Sequence, residues 1–189
     1  TITQEGTYVI TGSLSNGKIV VDADDSAKIQ LVLAGVDINC ESSAAIYVKN
    51  ANKVFITLAE KSENVLSNSS DFVATDDNNI DSVVFSKSDL SFNGNGSLTV
   101  NAAYGHGIVS KDDLVFTAGA YSITSADHGL QGKNSIRIAN GTFNIKCTED
   151  GLHSENKDDS SKGFVYIIGG TLNLSLIHIS EPTRHAQIS

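Results

Sequence analysis

Five carboxylates and one amide, Asp112, Asp113, Asp127, Asn134, Glu149 and Asp150, fall in a short stretch of this chain, and three lysines, Lys87, Lys111 and Lys133, recur through and just before it. Carboxylates held side by side repel and raise one another's pKa values unless a cation lies between them. Hard oxygen donors without clustered Cys or His favour Ca²⁺, at bond lengths of about 2.3–2.6 Å, over zinc or copper. The lysines suit two kinds of chemistry. They can clamp the carboxylates of an acidic sugar beside bound Ca²⁺, or one of them, made less basic by neighbouring cations, can remove the proton α to a uronate carboxyl group. The structural alternatives are plain: Asp and Asn also close turns on their own backbone, and Asp89, Asp112 and Asp113 would neutralise the lysines.

The elements that must position these groups follow from spacing. His106-Gly107-Ile108, His128-Gly129-Leu130 and Asp150-Gly151-Leu152 recur every 22 residues, as the glycine numbers show, and the first two are followed by Lys111 and Lys133 at one offset. A repeat near this length means one unit stacked many times. Within the unit, apolar residues alternate with polar ones, the period of a strand. Stacked in register, Leu98, Tyr121, Phe143 and Leu172 form one inward column, and Val100, Ile123, Ile145 and Leu174 a second. Leu90, Leu114, Ile136 and Val165 form a third, Phe92, Phe116, Ile138 and Ile167 a fourth, and Ile108, Leu130 and Leu152 a fifth. Glycines at Gly94, Gly119, Gly141 and Gly170 mark the breaks. The reading is an all-β chain, a parallel β-helix with coils of about 22 residues and three short strands per coil. Gly6-Thr7-Tyr8-Val9-Ile10 is expected to be a further copy of the unit that begins at Gly96.

Composition agrees. The 189 residues carry 16 Gly, no Trp, no Met and one Pro, with a formal charge of −9. Such acidity excludes nucleic acid as a partner, and no apolar run is long enough to span a membrane. Cys40 and Cys147 lie in distant coils and read as buried thiols rather than a disulfide. Residues 59–80 read as a loop bulging from the stack, with Asp76, Asp77 and Asp81 as a weaker acidic cluster. The seven extra residues between Gly141 and Gly170 place an insertion at Glu155–Lys162, including Asp158 and Asp159. His106 and His128 read as turn caps through a ring nitrogen. Tyr47 and Tyr104 are the aromatic residues left for sugar stacking. The repeat covers residues 1–174; residues 175–189 break it and resemble translated adaptor sequence, so His178 and His185 receive no role, and further coils are expected beyond.

The runs Phe85-Ser86-Lys87-Ser88-Asp89-Leu90, Gly107 to Leu114, Asp127 to Lys133 and Asp150-Gly151-Leu152-His153-Ser154 resemble the bacterial extracellular carbohydrate-binding β-helix domains related to family 9 polysaccharide (pectate) lyases. The resemblance spans roughly Gly6 to Leu174. It implies a right-handed β-helix, an extracellular or cell-surface location, and Ca²⁺ held by acidic residues on one face. Asp112, Asp113, Asp127 and Asp150 match its acidic positions; His128 and Ser88 stand where Asp is usual, and Glu149 where a small residue is. The implied partner is plant cell-wall polysaccharide, above all pectin-like polyuronate, with cellulose as the further candidate. The leading expectation is a monomeric, non-catalytic, Ca²⁺-dependent binding domain. The alternatives are a Ca²⁺-dependent lyase with Lys111 or Lys133 as base, and a purely structural or adhesive surface solenoid.

Overall fold

The computed structural model describes residues 1–74 and 76–176, so Thr75 and the non-repeat segment with His178 and His185 lie outside the described residues. The chain is a right-handed parallel β-helix of about 7 turns, and no residue described is helical. The first leg of each coil builds a six-stranded sheet, here sheet A: β2 (Ile19–Asp22), β4 (Ile46–Asn50), β7 (Ser82–Ser86), β10 (His106–Ser110), β13 (Leu130–Gly132) and β16 (Leu152–His153). The second leg contributes β5 (Lys53–Leu58), β8 (Asp89–Gly94), β11 (Asp113–Phe116), β14 (Ser135–Ile138) and β17 (Phe164–Ile167). The third contributes β6 (Glu63–Asn68), β9 (Ser97–Ala102), β12 (Ala120–Ser125), β15 (Thr142–Cys147) and β18 (Thr171–Leu176). In the first coils the second and third legs are continuous, as β1 (Gly6–Leu14) and β3 (Lys28–Cys40), which join them into one bent sheet. β18 carries the repeat two residues past the expected boundary at 174.

All five expected columns form. Leu98, Tyr121, Phe143 and Leu172 pair in series, and so do Leu90, Leu114, Ile136 and Val165. Except for Val165, Ile167 and Leu174 of the last coil, which are exposed, their side chains pack into a single core, within which the rings of Phe92 and Phe116 stack at 4.9 Å and those of Tyr121 and Phe143 at 4.8 Å. The two stacks meet edge to face, with Phe116 5.1 Å from Tyr121 and 5.2 Å from Phe143. Tyr121 donates its hydroxyl to the Ala118 carbonyl at 2.6 Å, which satisfies the polar end of a buried ring. Cys40 and Cys147 are buried free thiols, as their spacing implied.

The glycine of each repeat has a steric cause. A Cβ on Gly107 would lie 2.5 Å from the Gly129 carbonyl oxygen and 2.7 Å from Ile123 Cγ2, so any side chain would force apart two coils and two legs at once. At the corner between the second and third legs, Gly94 has φ +93°, and its Cβ would meet Leu58 O at 2.1 Å.

Two expectations are corrected. Gly6–Ile10 pairs with Ile29–Leu33 on the second leg, not with the third-leg column of Leu98; the third leg of that coil begins at Gly12, opposite Val36. A period of two fits either leg equally well, so alternation did not decide it. The second correction is β6, which lies inside the segment 59–80 expected as loop. Its inward positions include Asn64 and Asn68, which hide the alternation. Asn64 Oδ1 accepts from the amides of Gly35 (3.0 Å) and Val36 (3.1 Å), and its Nδ2 donates to Ser62 Oγ (2.9 Å) and Ser97 O (3.0 Å). A buried amide so fully bonded costs little to bury.

Candidate functional site

Sheet A presents three outward columns. Along its middle run Val20, Tyr47, Phe85, Val109, Gln131 and His153. In the early coils this column is covered: Tyr47, Phe85, Val109 and Ala44 form a second apolar cluster with Val20 and Ile80. The loop after β6 is pinned there because Tyr47 donates to Asp76 Oδ2 at 2.6 Å and accepts from Asn78 Nδ2 at 2.6 Å. Burial pushes the Tyr47 hydroxyl pKa up, and the hydrogen bond from Tyr47 holds the Asp76 carboxyl below its usual value. Asp76 is therefore a loop anchor. At Gln131 the column turns polar and the face opens.

The lysine column is real. The amides of Lys87, Lys111 and Lys133 donate to Val48, Ser86 and Ser110 in the preceding coils, at 3.0, 2.8 and 3.0 Å. Lys111 Nζ lies 3.3 Å from Asp81 Oδ2 and 5.2 Å above the Phe85 ring, and Lys133 Nζ lies 2.9 Å from Asp158 Oδ2. Lys87 is exposed. Lys111 and Lys133 line an open cleft of about 340 Å³ together with Gln131, Glu155, Lys157 and Asp158; Lys87 does not reach it. Two buried oxygens in this region, Gln131 Oε1 and Asp81 Oδ1, have no hydrogen-bond partner among the described residues. Sequence reasoning passed over Gln131 and Lys157. The signal for Gln131 was available, since it is the polar residue that replaces Val109 one repeat later.

The six expected metal ligands separate into two groups. Asp112, Asp113 and Asn134 lie just past the C-terminal ends of the sheet A strands. There the Asp112 carboxylate accepts from Asn134 Nδ2, and Asn134 Oδ1 accepts from Asn156 Nδ2 at 2.8 Å, a ladder that climbs one coil per step. Asp113 accepts from Ser135 Oγ at 2.6 Å, and its amide donates to Asp89 Oδ1 at 3.3 Å. Burial raises the Asp89 carboxyl above its usual value, and the adjacent charges of Asp112 and Asp113 raise it further. Asp127, Glu149 and Asp150 lie at the opposite ends of the same strands. A five-residue strand such as β10, roughly 16 Å, stands between the groups, so no one ion contacts both.

At that second end the rings of His106, His128 and His153 form a continuous stack, with centroids 5.1 and 4.2 Å apart. The amide of His128 donates to His106 Nδ1 and that of Asp150 to His128 Nδ1, each at 3.1 Å, so the first two rings do cap turns. Glu149 Oε2 lies 3.1 Å from His128 Nε2, and Asp150 Oδ2 lies 2.9 Å from His153 Nδ1. Burial pushes His106 below the ordinary imidazole value, outweighing the opposite pull of Asp81 and Asp127. The unfolded chain then takes up a proton near pH 6.5 that the folded chain resists. The stability this neutral ring contributes is present above about pH 6.5 and lost as pH falls through the lowered folded value. Melts of the metal-free chain from about pH 7.5 to about pH 5 are expected to show a falling midpoint, with a shallower fall in His106→Asn. A profile equally steep in both contradicts this.

A protein from Acetivibrio thermocellus, a carbohydrate-binding domain-containing protein, is 47% identical over 175 residues, which are 92% of this chain and 61% of that protein. The chain thus spans about three fifths of that relative's length. Among solved structures, the polysaccharide lyase-like protein from C. thermocellum, determined as a gadolinium derivative, superposes with a TM-score of 0.90 at 37% identity, covering 93% of this chain and 71% of that one. A family model matches residues 1–177, and the chain belongs to the family of carbohydrate-binding domain-containing proteins.

Proposed function

We propose that this β-helix binds acidic, polyuronate-type plant cell-wall polysaccharide without cleaving it, in the cleft on the outer face of sheet A, with the help of Ca²⁺. The observation that carries this reading is the cleft itself: in a chain of charge −9, Lys111, Lys133 and Lys157 converge on one open groove, where they outnumber the carboxylates of Glu155 and Asp158. Cationic donors suit sugar carboxylates. The coil spacing of roughly 4.8 Å repeats these groups along an axis, which fits a polymer better than a single sugar. An extracellular or cell-surface location and a monomeric state accompany this reading.

Ca²⁺ belongs with the corner of Asp89, Asp112 and Asp113, where burial, and after it the neighbouring charges of Asp112 and Asp113, lift the Asp89 carboxyl. A bound cation there would remove that repulsion and supply a positive centre beside the lysines. The corner is not a closed cage: Asn134 turns its nitrogen toward Asp112 and its oxygen toward Asn156, and Asp113 also faces Arg137 at 3.8 Å. It is half-built, and sugar oxygens would complete it.

The lyase reading draws on the structural neighbour's description as polysaccharide lyase-like. Against it stand the ion pairs of Lys111 and Lys133, which commit both Nζ atoms to donating hydrogen bonds, whereas a base must present a lone pair. One sample separates the readings. Polygalacturonate is titrated into the chain with Ca²⁺ and again with chelator, following heat and the ultraviolet absorbance of unsaturated product together. Heat that requires Ca²⁺, with flat absorbance, is expected. Rising absorbance makes the chain a lyase, and heat indifferent to chelator removes Ca²⁺ from the site.

A further inference from the structure

We propose that His128, Asp150 and His153 form a site for a borderline divalent transition ion, Zn²⁺ being the type case, separate from the Ca²⁺ corner of Asp89, Asp112 and Asp113 and independent of the polysaccharide reading. Among the described residues this is the trio whose ligand atoms, one from each side chain, all lie within 4.8 Å of one another. His153 Nδ1 and Asp150 Oδ2 are 2.9 Å apart, and His128 Nδ1 is 3.8 Å from the same Asp150 oxygen. Donors held about 2.0–2.2 Å from one ion are separated by such distances. Two imidazoles with one carboxylate are a donor set that suits zinc, copper or nickel and suits Ca²⁺ poorly.

The surroundings add to the case. Glu149 Oε2, 3.1 Å from His128 Nε2, adds a second carboxylate on the far side of the ring and gives His128 the outer partner that metal-bound histidines generally have. No lysine or arginine pairs with either carboxylate among the described residues, so their charge is available to a cation. Two adjustments close the site. The stacked rings of His128 and His153 are parallel to within 9°, so both in-plane lone pairs reach one ion only if a ring turns. His153 is the ring with more freedom to do so, since its side chain is 28% exposed against 15% for that of His128. His128 Nδ1 exchanges its hydrogen bond from the Asp150 amide for the ion. His153 then gives up the proton it shares with Asp150, so binding releases a proton.

The ion would tie His128, two residues before β13, to Asp150 and His153, which lie just before and at the end of β16, clamping two successive coils of sheet A beside the lysine cleft. The sequence reading gave zinc no place because the ligands come from separate repeats, and His153 sits in the column of Gln131 and Val109 rather than in that of His106 and His128.

The test uses the full chain, stripped with chelator and titrated calorimetrically with Zn²⁺ in excess Ca²⁺, with the visible absorption of Co²⁺ as a second probe. One Zn²⁺ per chain is expected, with a higher melting temperature. His153→Ala and Asp150→Asn are each expected to weaken binding at least about tenfold, while Asp112→Asn leaves it unchanged. Because Asp150 is exposed and His153, though half-buried, lies outside the apolar core, neither variant disturbs the core, and unchanged circular dichroism confirms that. No Zn²⁺ heat in the native chain, equal binding in His153→Ala and Asp150→Asn, or an equal loss in Asp112→Asn would each overturn the proposal.

Discussion

Replacing Lys111 and Lys133 together with alanine is expected to weaken polygalacturonate binding about 30- to 150-fold, while Lys61→Ala leaves it unchanged. Each ammonium that meets a sugar carboxylate contributes about 1–1.5 kcal/mol at a half-exposed site, below the fully desolvated value for a charged hydrogen bond. Two such losses, about 2–3 kcal/mol, convert to that range. The two lysines occupy adjacent coils on one cleft wall, so a single bound chain would meet both. Lys87 is in the same column but outside the cleft, and its replacement should cost far less. Lys61, whose partner Glu60 is its neighbour in the turn between the second and third legs, serves as the control. Binding by the native chain should fall with added salt, since the attraction is electrostatic. Equal losses in Lys61→Ala and in the double variant would remove the cleft as the site; equal losses in Lys87→Ala and the double variant would move it along the column.

The second large effect concerns stability. Phe116→Ala is expected to cost about 3–5 kcal/mol, which for a chain of this size lowers the melting temperature by about 6–20 °C. Phe116 is fully buried, stacks on Phe92 at 4.9 Å and meets Tyr121 and Phe143 edge on. Truncation removes one member of all three contacts and leaves a cavity flanked by rings that the rigid coils above and below prevent from closing. Phe55, two coils earlier, supplies the comparison: it faces outward on β5 beside Lys53 Nζ at 5.4 Å, and Phe55→Ala should cost well under half as much. Denaturant melts of both variants decide it, and similar losses would mean that the ring cluster adds nothing beyond its area.

Much of the architecture was readable because two periods are superimposed in the chain. Alternation assigns each residue to the inside or outside of a strand, and the 22-residue repeat assigns it to a column, so Leu98, Tyr121, Phe143 and Leu172 could be aligned before any coordinates. The lysine column followed from the same arithmetic. Where one of the periods weakens, the reading slipped: Gly6–Ile10 moved by one leg, and β6 vanished behind Asn64 and Asn68, which satisfy their own amides inside the core.

What the sequence by itself determined was therefore the solenoid, its inward columns and the stacking of like residues across coils, since these depend only on offsets along the chain. The tertiary structure alone decided which stretches of an outward column are open. Tyr47 and Phe85 share a column with Gln131, yet the loop anchored through Asp76 covers the first two and leaves the third at the cleft. It also divided the carboxylates, because Asp112 and Asp127 fall at opposite ends of neighbouring strands in sheet A, a separation set by strand length rather than by repeat position. And it brought His153 from an adjacent column onto His128, a contact that depends on how side chains lean across a twisted sheet and that offsets along the chain do not encode.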